Sequence, residues 1–153
     1  MKSYKFLLTV FSILFLTIAI NAGENPAKED KGDIEQTISS FVKSIDTQNA
    51  NDLSKAIISN GAVVTLNSIT NKMDNLTASQ LVDRVKNRQQ GGWARNVTVS
   101  SVDVDGNTAM AKVEITDARL SQSGFFTLVK ENGTWKMGSL TFSHLLRSVK
   151  MKN

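Results

Sequence analysis

The chain has 153 residues, a formal net charge of +4, and no cysteine. Zero cysteines exclude disulfides, thiolate metal ligands and a thiol nucleophile. So small a charge excludes the basic footprint that a nucleic-acid partner requires.

Met1-Lys2-Ser3-Tyr4-Lys5 is a short basic segment, followed by the uncharged apolar run Phe6–Ile20 and a small residue at Ala22. This is the pattern of a secretory signal peptide over 1–22. The run is short for a spanning helix, which needs about 20 apolar residues, so no stable membrane insertion is expected after cleavage. No Cys follows it, so lipoprotein anchoring is excluded. A secreted or periplasmic location follows as the expectation. Loss of Lys2 and Lys5 leaves about two positive charges on the mature chain. The polar stretch 23–32, with the sole proline Pro26, reads as a flexible lead-in. One domain is expected over 33–146, with a basic tail over 147–153.

Asp33-Ile34-Glu35-Gln36 can cap a helix start, and Ile34, Ile38, Phe41 and Ile45 then recur at helical spacing. The polar run Asp46–Asn51 ends that helix, and Asn51 or Asp52 can start a short second one through Ile57. Ser59-Asn60-Gly61 reads as a turn, Ala62–Leu66 as a strand and Ser68–Met73 as another. Thr77-Ala78-Ser79-Gln80 is a capping box leading a helix with Leu81, Val82 and Val85 inward, closed by Gly91-Gly92 as C-cap.

Four strands follow, over Val97–Val104, Ala109–Thr116, Phe125–Lys130 and Thr134–Phe142. Asp105-Gly106-Asn107 and Asn132-Gly133 are hairpin signals, because these residues tolerate the positive φ of tight turns. Ala109, Ala111, Val113 and Ile115 alternate cleanly with polar neighbours, so one face of that strand is buried. Val97 and Val99 are out of phase with Val102 and Val104, as Trp135 and Met137 are with Leu140 and Phe142. A single extra residue flips every following side chain to the other face. Ser100-Ser101 and Gly138-Ser139 are therefore candidate β-bulges, which bend a sheet.

The order helix, short helix, strand pair, helix, long meander resembles the nuclear transport factor 2-like superfamily. Within it, Gly124–Met137 resembles the closing hairpin of bacterial members labelled "putative lumazine-binding" or polyketide-cyclase-like, in which an aromatic-Leu-Leu-Lys strand, a Gly turn and Trp-Lys-Ile follow one another. Val102–Ala109 matches the preceding hairpin. The resemblance covers 33–142 and implies an α+β fold: a cone-shaped, curved antiparallel sheet wrapped around about three helices. It leaves function open, because this scaffold hosts enzymes, binding domains and interaction modules alike.

Three readings follow. An isomerase, dehydratase or cyclase of this fold would need a base inside the cone, for which His144, Asp117, Glu114 and Asp83 are the candidates. The usual Tyr donor is missing, since the single tyrosine, Tyr4, lies in the signal. A binding cone would draw on Trp93, Phe41, Phe125 or Phe126, Met137 and Phe142 for apolar surface, with Arg95 placed for an anionic group. Its ligand would be small and apolar or aromatic. An interaction module would use the mixed face Met110, Lys112, Glu114 and Thr116, and relatives of the fold imply a homodimer. One histidine and no cysteine support no metal site and no cofactor set. The preferred reading is a non-catalytic small-molecule binder with Trp93, Phe41, Phe126, Met137 and Arg95 around the ligand.

Overall fold

A computed structural model describes residues 26–67, 70–118 and 120–146, with side chains described over 30–143. The apolar N-terminal run and the basic tail lie outside the described residues. Among the described residues no helix is long and apolar enough to cross a membrane.

Helix α1 (Pro26–Asp46) and helix α2 (Ala50–Ala56) lead into strand β1 (Ile57–Asn67). Strand β2 (Lys72–Thr77) and helix α3 (Ala78–Lys86) follow, and then strands β3 (Asn96–Asp105), β4 (Thr108–Thr116), β5 (Leu120–Glu131) and β6 (Thr134–Leu146). The strands form one curved, open sheet in the order β2-β1-β6-β5-β4-β3. The meander β3–β6 is antiparallel throughout, but its last strand returns beside β1 and pairs with it in parallel. The sheet is therefore mixed, because a four-strand meander entered from the far edge brings β6 in running the same way as β1.

Phase accounts for the curvature. In β3, Val99 pairs with Val113 and Ser101 with Lys112, so Ser100 is the extra residue of a bulge. The bulge keeps Val97, Val99, Val102 and Val104 on one face, opposite Ile115, Val113, Ala111 and Ala109 in turn. In β6, Met137 pairs with Leu128 and Ser139 with Thr127, which makes Gly138 the extra residue. Trp135, Met137 and Leu140 are buried as a result, with Phe142 packed against the core. At the β5–β6 turn Asn132 and Gly133 adopt φ of 51° and 78°, the positive pair a tight two-residue hairpin needs. The β3–β4 turn is Gly106-Asn107, with Asp105 paired to Thr108.

The first half of the chain departs from expectation in four places. Helix α1 starts at Pro26 rather than Asp33, so 26–32 is helix and not lead-in. Proline suits a first helical position, where its missing N–H would have no partner anyway. The start is also held by tertiary contacts: Lys130 Nζ (2.6 Å) and Trp135 Nε1 (3.0 Å) both donate to Asp30 Oδ1. Ser59-Asn60-Gly61 is not a turn ahead of a strand that starts at Ala62, since β1 begins at Ile57 and runs through it with 58–61 looped out opposite Gly138. The second strand is Lys72–Thr77 rather than Ser68–Met73, set in register by β1. Helix α3 is capped by Asn87, not by Gly91-Gly92. Its N-terminal capping box is as read: Thr77 Oγ1 accepts from Gln80 N, and Thr77 N donates to the Gln80 side chain.

The Lys130 hydrogen bond, and then the Trp135 one, hold the Asp30 carboxyl below its usual value. A depressed folded value means the stabilisation is complete above the ordinary carboxylate pKa. It is lost as pH falls from there through Asp30's own value. Asp30→Asn is thus expected to melt below wild type at neutral pH and to lose less on acidification. Melting temperatures across an acid series will check this; parallel curves would assign Asp30 no role.

Gly124 marks the tightest approach in the sheet. A Cβ there would sit 2.0 Å from the Thr141 carbonyl oxygen and 2.8 Å from Phe142 Cα. Gly124→Ala must push β5 and β6 apart, at an expected cost of about 1–3 kcal/mol, the range for overpacking. Urea denaturation measures it directly.

Candidate functional site

The helices lie on the concave face of the sheet, with α1 packed against β3 and β6 and α3 against β1. Where α1, α3, β1 and β6 diverge they leave a cavity of about 200 Å³. Its apolar wall comes from Phe41 and Ile45 of α1, Val63 of β1, Leu81 of α3, and Leu140 and Phe142 of β6. Its polar wall comes from Thr65, Asp74, Arg84, Gln90, Arg95 and Gln122.

Arg95 is held by a device that spans three segments. Gly91 and Gly92 have φ of +81° and +93°, and a Cβ on Gly91 would lie 1.8 Å from the Ile45 carbonyl oxygen. Only glycine lets the α3–β3 connection cross so close to the end of α1. Gly92 N donates to Asp46 O (3.1 Å), and the Gln48 amide donates to Gln90 O (3.3 Å). The chain then turns Arg95 onto Asp46. Its backbone N donates to Asp46 Oδ2 at 3.0 Å, and its Nε donates to Asp46 Oδ1 at 2.6 Å. The two side chains keep only 9% and 10% of their surface exposed. Asp46 is the last residue of α1, where a lone carboxylate opposes the helix dipole. The guanidinium offsets that charge.

Arg95 Nη2 also lies 2.6 Å from the Asp46 oxygen that Nε meets, an ion-pair contact made off the hydrogen-bond axis, and is shut off from solvent. Nearer the rim, Arg84 Nη1 donates to Asp74 Oδ2 at 3.1 Å across α3 and β2.

Of the residues expected around a ligand, Phe41, Phe142 and Arg95 border this cavity. Phe126 is fully buried beneath it, its ring 6.3 Å from Phe41 and 5.4 Å from Phe142 in edge-to-face contacts. Met137 is fully buried in the core, and Trp93 stands 45% exposed on the α3–β3 connection; neither borders the cavity. Phe125 faces outward on β5. Among the candidate bases, Asp117 is engaged at the β4–β5 turn, where its Oδ1 accepts from Leu120 N. Glu114 is exposed and accepts from Ser121 Oγ, and Asp83 is exposed on α3. The His144 side chain lies outside the described residues. Among the described residues no three His, Cys, Asp or Glu side chains cluster as metal ligands.

Sequence reasoning missed Gln122, Thr65 and the Asp46 partner. Gln122 had a signal, since it shares the inward phase of Gly124, Phe126 and Leu128 on β5.

The fold recurs in solved structures of low sequence identity. A nuclear transport factor 2-like protein of unknown function from Silicibacter pomeroyi superposes with a TM-score of 0.67 at 16% identity, covering 79% of this chain and 98% of that one. One from Shewanella baltica gives 0.65 at 18% identity, covering 77% and 95%. A ketosteroid isomerase-like protein from Erwinia carotovora gives 0.62 at 11% identity, covering 76% and 97%. No curated protein matches the chain. The family described as "Putative lumazine-binding" matches residues 29–143, and this chain, a nuclear transport factor 2-like α+β protein, belongs to it.

Proposed function

We propose that this protein binds a small, flat, largely apolar molecule in the cavity beside Arg95 and does not turn it over. The observation that carries this is the cavity itself: a space of about 200 Å³ walled on one side by apolar groups that include Phe41 and Phe142 and on the other by polar ones. The family description points the same way. Binding without turnover is supported by the carboxylates at the site. Asp46 is tied to Arg95 and Asp74 to Arg84, so neither is poised as a general base. The N-terminal apolar run supports export.

Native mass spectrometry of the full-length gene product, expressed with its leader and purified without denaturation, tests both parts. A chain beginning near Gly23 with a persistent extra mass is the expected result. A chain beginning at Met1 would remove the export reading. Leu140→Trp puts a large ring into the cavity and is expected to abolish the extra mass while leaving the far-ultraviolet spectrum unchanged. Retention of the mass by that variant would move the ligand elsewhere.

A second reading, self-association through the outer sheet face, is favoured by Met110 and Phe125, which stand 48% and 51% exposed. They lie diagonally on β4 and β5 beside Lys112. Sedimentation velocity will check it, and a monomer across the concentration range would exclude it.

A further inference from the structure

We infer that the ligand is amphipathic: a flat apolar body fills the cavity, and an uncharged group that both donates and accepts hydrogen bonds, a hydroxyl or carboxamide, stays at the mouth between Arg84 and Asp74. This inference rests on the binding reading above and adds the chemical class of the molecule. Three observations carry it.

The first is how polarity is distributed around the cavity. Phe41, Ile45, Val63, Leu81 and Leu140 in its wall are buried, whereas the side chains of Arg84 and Asp74 keep 39% and 59% of their surface exposed. The charged pair therefore stands on the solvent side. A molecule that suits both ends is apolar at one and polar at the other.

The second is what the pair still offers. Arg84 Nη1 donates to Asp74 Oδ2, and among the described residues no other hydrogen bond engages either side chain. Asp74 thus has a second oxygen able to accept, and Arg84 has further N–H groups able to donate. Thr65, the cross-strand partner of Asp74, adds a hydroxyl to the same wall.

The third is charge. Arg84 and Asp74 are neutral as a pair, and Arg95, the other ion in the wall, is matched by Asp46. A carboxylate at the mouth gains Arg84 but is set beside Asp74, and an ammonium meets the reverse conflict. A hydroxyl escapes both, since its O–H donates to Asp74 while its oxygen accepts from Arg84.

The test uses four probes of one shape: indane, which has no polar group; indanylmethanol; indane carboxylate, an anion; and indanylmethylammonium, a cation. Titration calorimetry on the purified wild-type protein is expected to show the alcohol binding about tenfold tighter than indane, as two hydrogen bonds at a partly wet mouth would give. Both ions are expected to bind more weakly than the alcohol. Single substitutions should then reverse the order. Asp74→Ala leaves Arg84 unpaired and is expected to make the carboxylate the tightest probe; Arg84→Met leaves Asp74 unpaired and is expected to favour the ammonium. An exposed ion pair contributes little to stability, so both variants are expected to fold, which circular dichroism checks.

Equal affinity for indane and the alcohol in the wild type would leave the binding reading intact and overturn the polar end of the ligand. Tightest binding of either ion by the wild type would overturn the uncharged group. An order of preference unmoved by both substitutions would remove Arg84 and Asp74 from recognition. Failure of all four probes overturns this inference, and together with no co-purifying mass it sinks the binding reading as well. The wild-type series decides the matter even if a variant does not fold.

Discussion

Asp46→Ala is expected to destabilise the protein by about 3–5 kcal/mol, the range for stranding one member of a buried ion pair. The mutation removes few atoms, so the size of the effect comes from what stays behind. Arg95 is more than nine-tenths buried and draws its Nε and backbone N–H partners from this one carboxylate. Without it the guanidinium sits desolvated, and Nε, Nη2 and the Arg95 backbone N all lose the carboxylate they meet. The chain must open locally, drawing Arg95 to water and with it the glycine pair that crosses the end of α1. Asp46→Ala/Arg95→Met, which removes both charges, is expected to recover most of the loss, because replacing a buried pair by apolar atoms is often close to neutral. Urea denaturation of the wild type, both single variants and the double closes the cycle. A double variant as unstable as Asp46→Ala would mean that packing at Asp46, and not charge, holds this corner.

The pairing of Asp46 with Arg95 could not be read from the sequence. Asp46 and Arg95 are 49 positions apart, and each alone reads as a polar residue at the edge of an element. The second half of the chain was far more legible. Its strands alternate with period two, and the phase slips at Ser100-Ser101 and Gly138-Ser139 mark the two bulges. Local chemistry fixes such features, and sequence records local chemistry well. Elements that depend on distant partners were less so. The first turns of α1 contain Lys28, Glu29, Asp30, Lys31 and Gly32 with no apolar stripe, so periodicity starts the helix late. Its true start is held from outside, by Lys130 and Trp135 on the closing hairpin. Strand β2 has only Met73 and Leu76 as large apolar residues, and its place is set by pairing with β1. The site itself was half legible. Inward phase on β5 and β6 identifies Gln122 and Phe142, but which aromatic residues border a cavity and which lie beneath it depends on where helices end above the sheet.

Phe126→Ala is expected to cost about 3–5 kcal/mol, as for other large aromatic truncations in a core. Phe126 has no exposed surface and stands between Phe41 of α1 and Phe142 of β6, meeting their rings at 81° and 64°. Each such edge-to-face pair contributes about 0.5–1.5 kcal/mol beyond burial, so one truncation removes two of them and leaves a void. Because Phe41 and Phe142 border the cavity, the same ring also sets the spacing of its aromatic walls. Phe126→Leu separates these roles. It keeps an apolar side chain at the site and is expected to fold with a smaller loss of stability, yet it releases both rings from their edge contacts. Urea denaturation and native mass spectrometry on this variant should then disagree: a modest loss of stability beside a larger proportional loss of the co-purifying mass. A variant that loses stability but binds as wild type would show that the walls are fixed by their own strand and helix, leaving Phe126 to support the core alone. The void left by Phe126→Ala also differs in kind from the natural cavity. It is lined by apolar groups and will stay dry, whereas the natural one is bordered by arginine, glutamine and threonine.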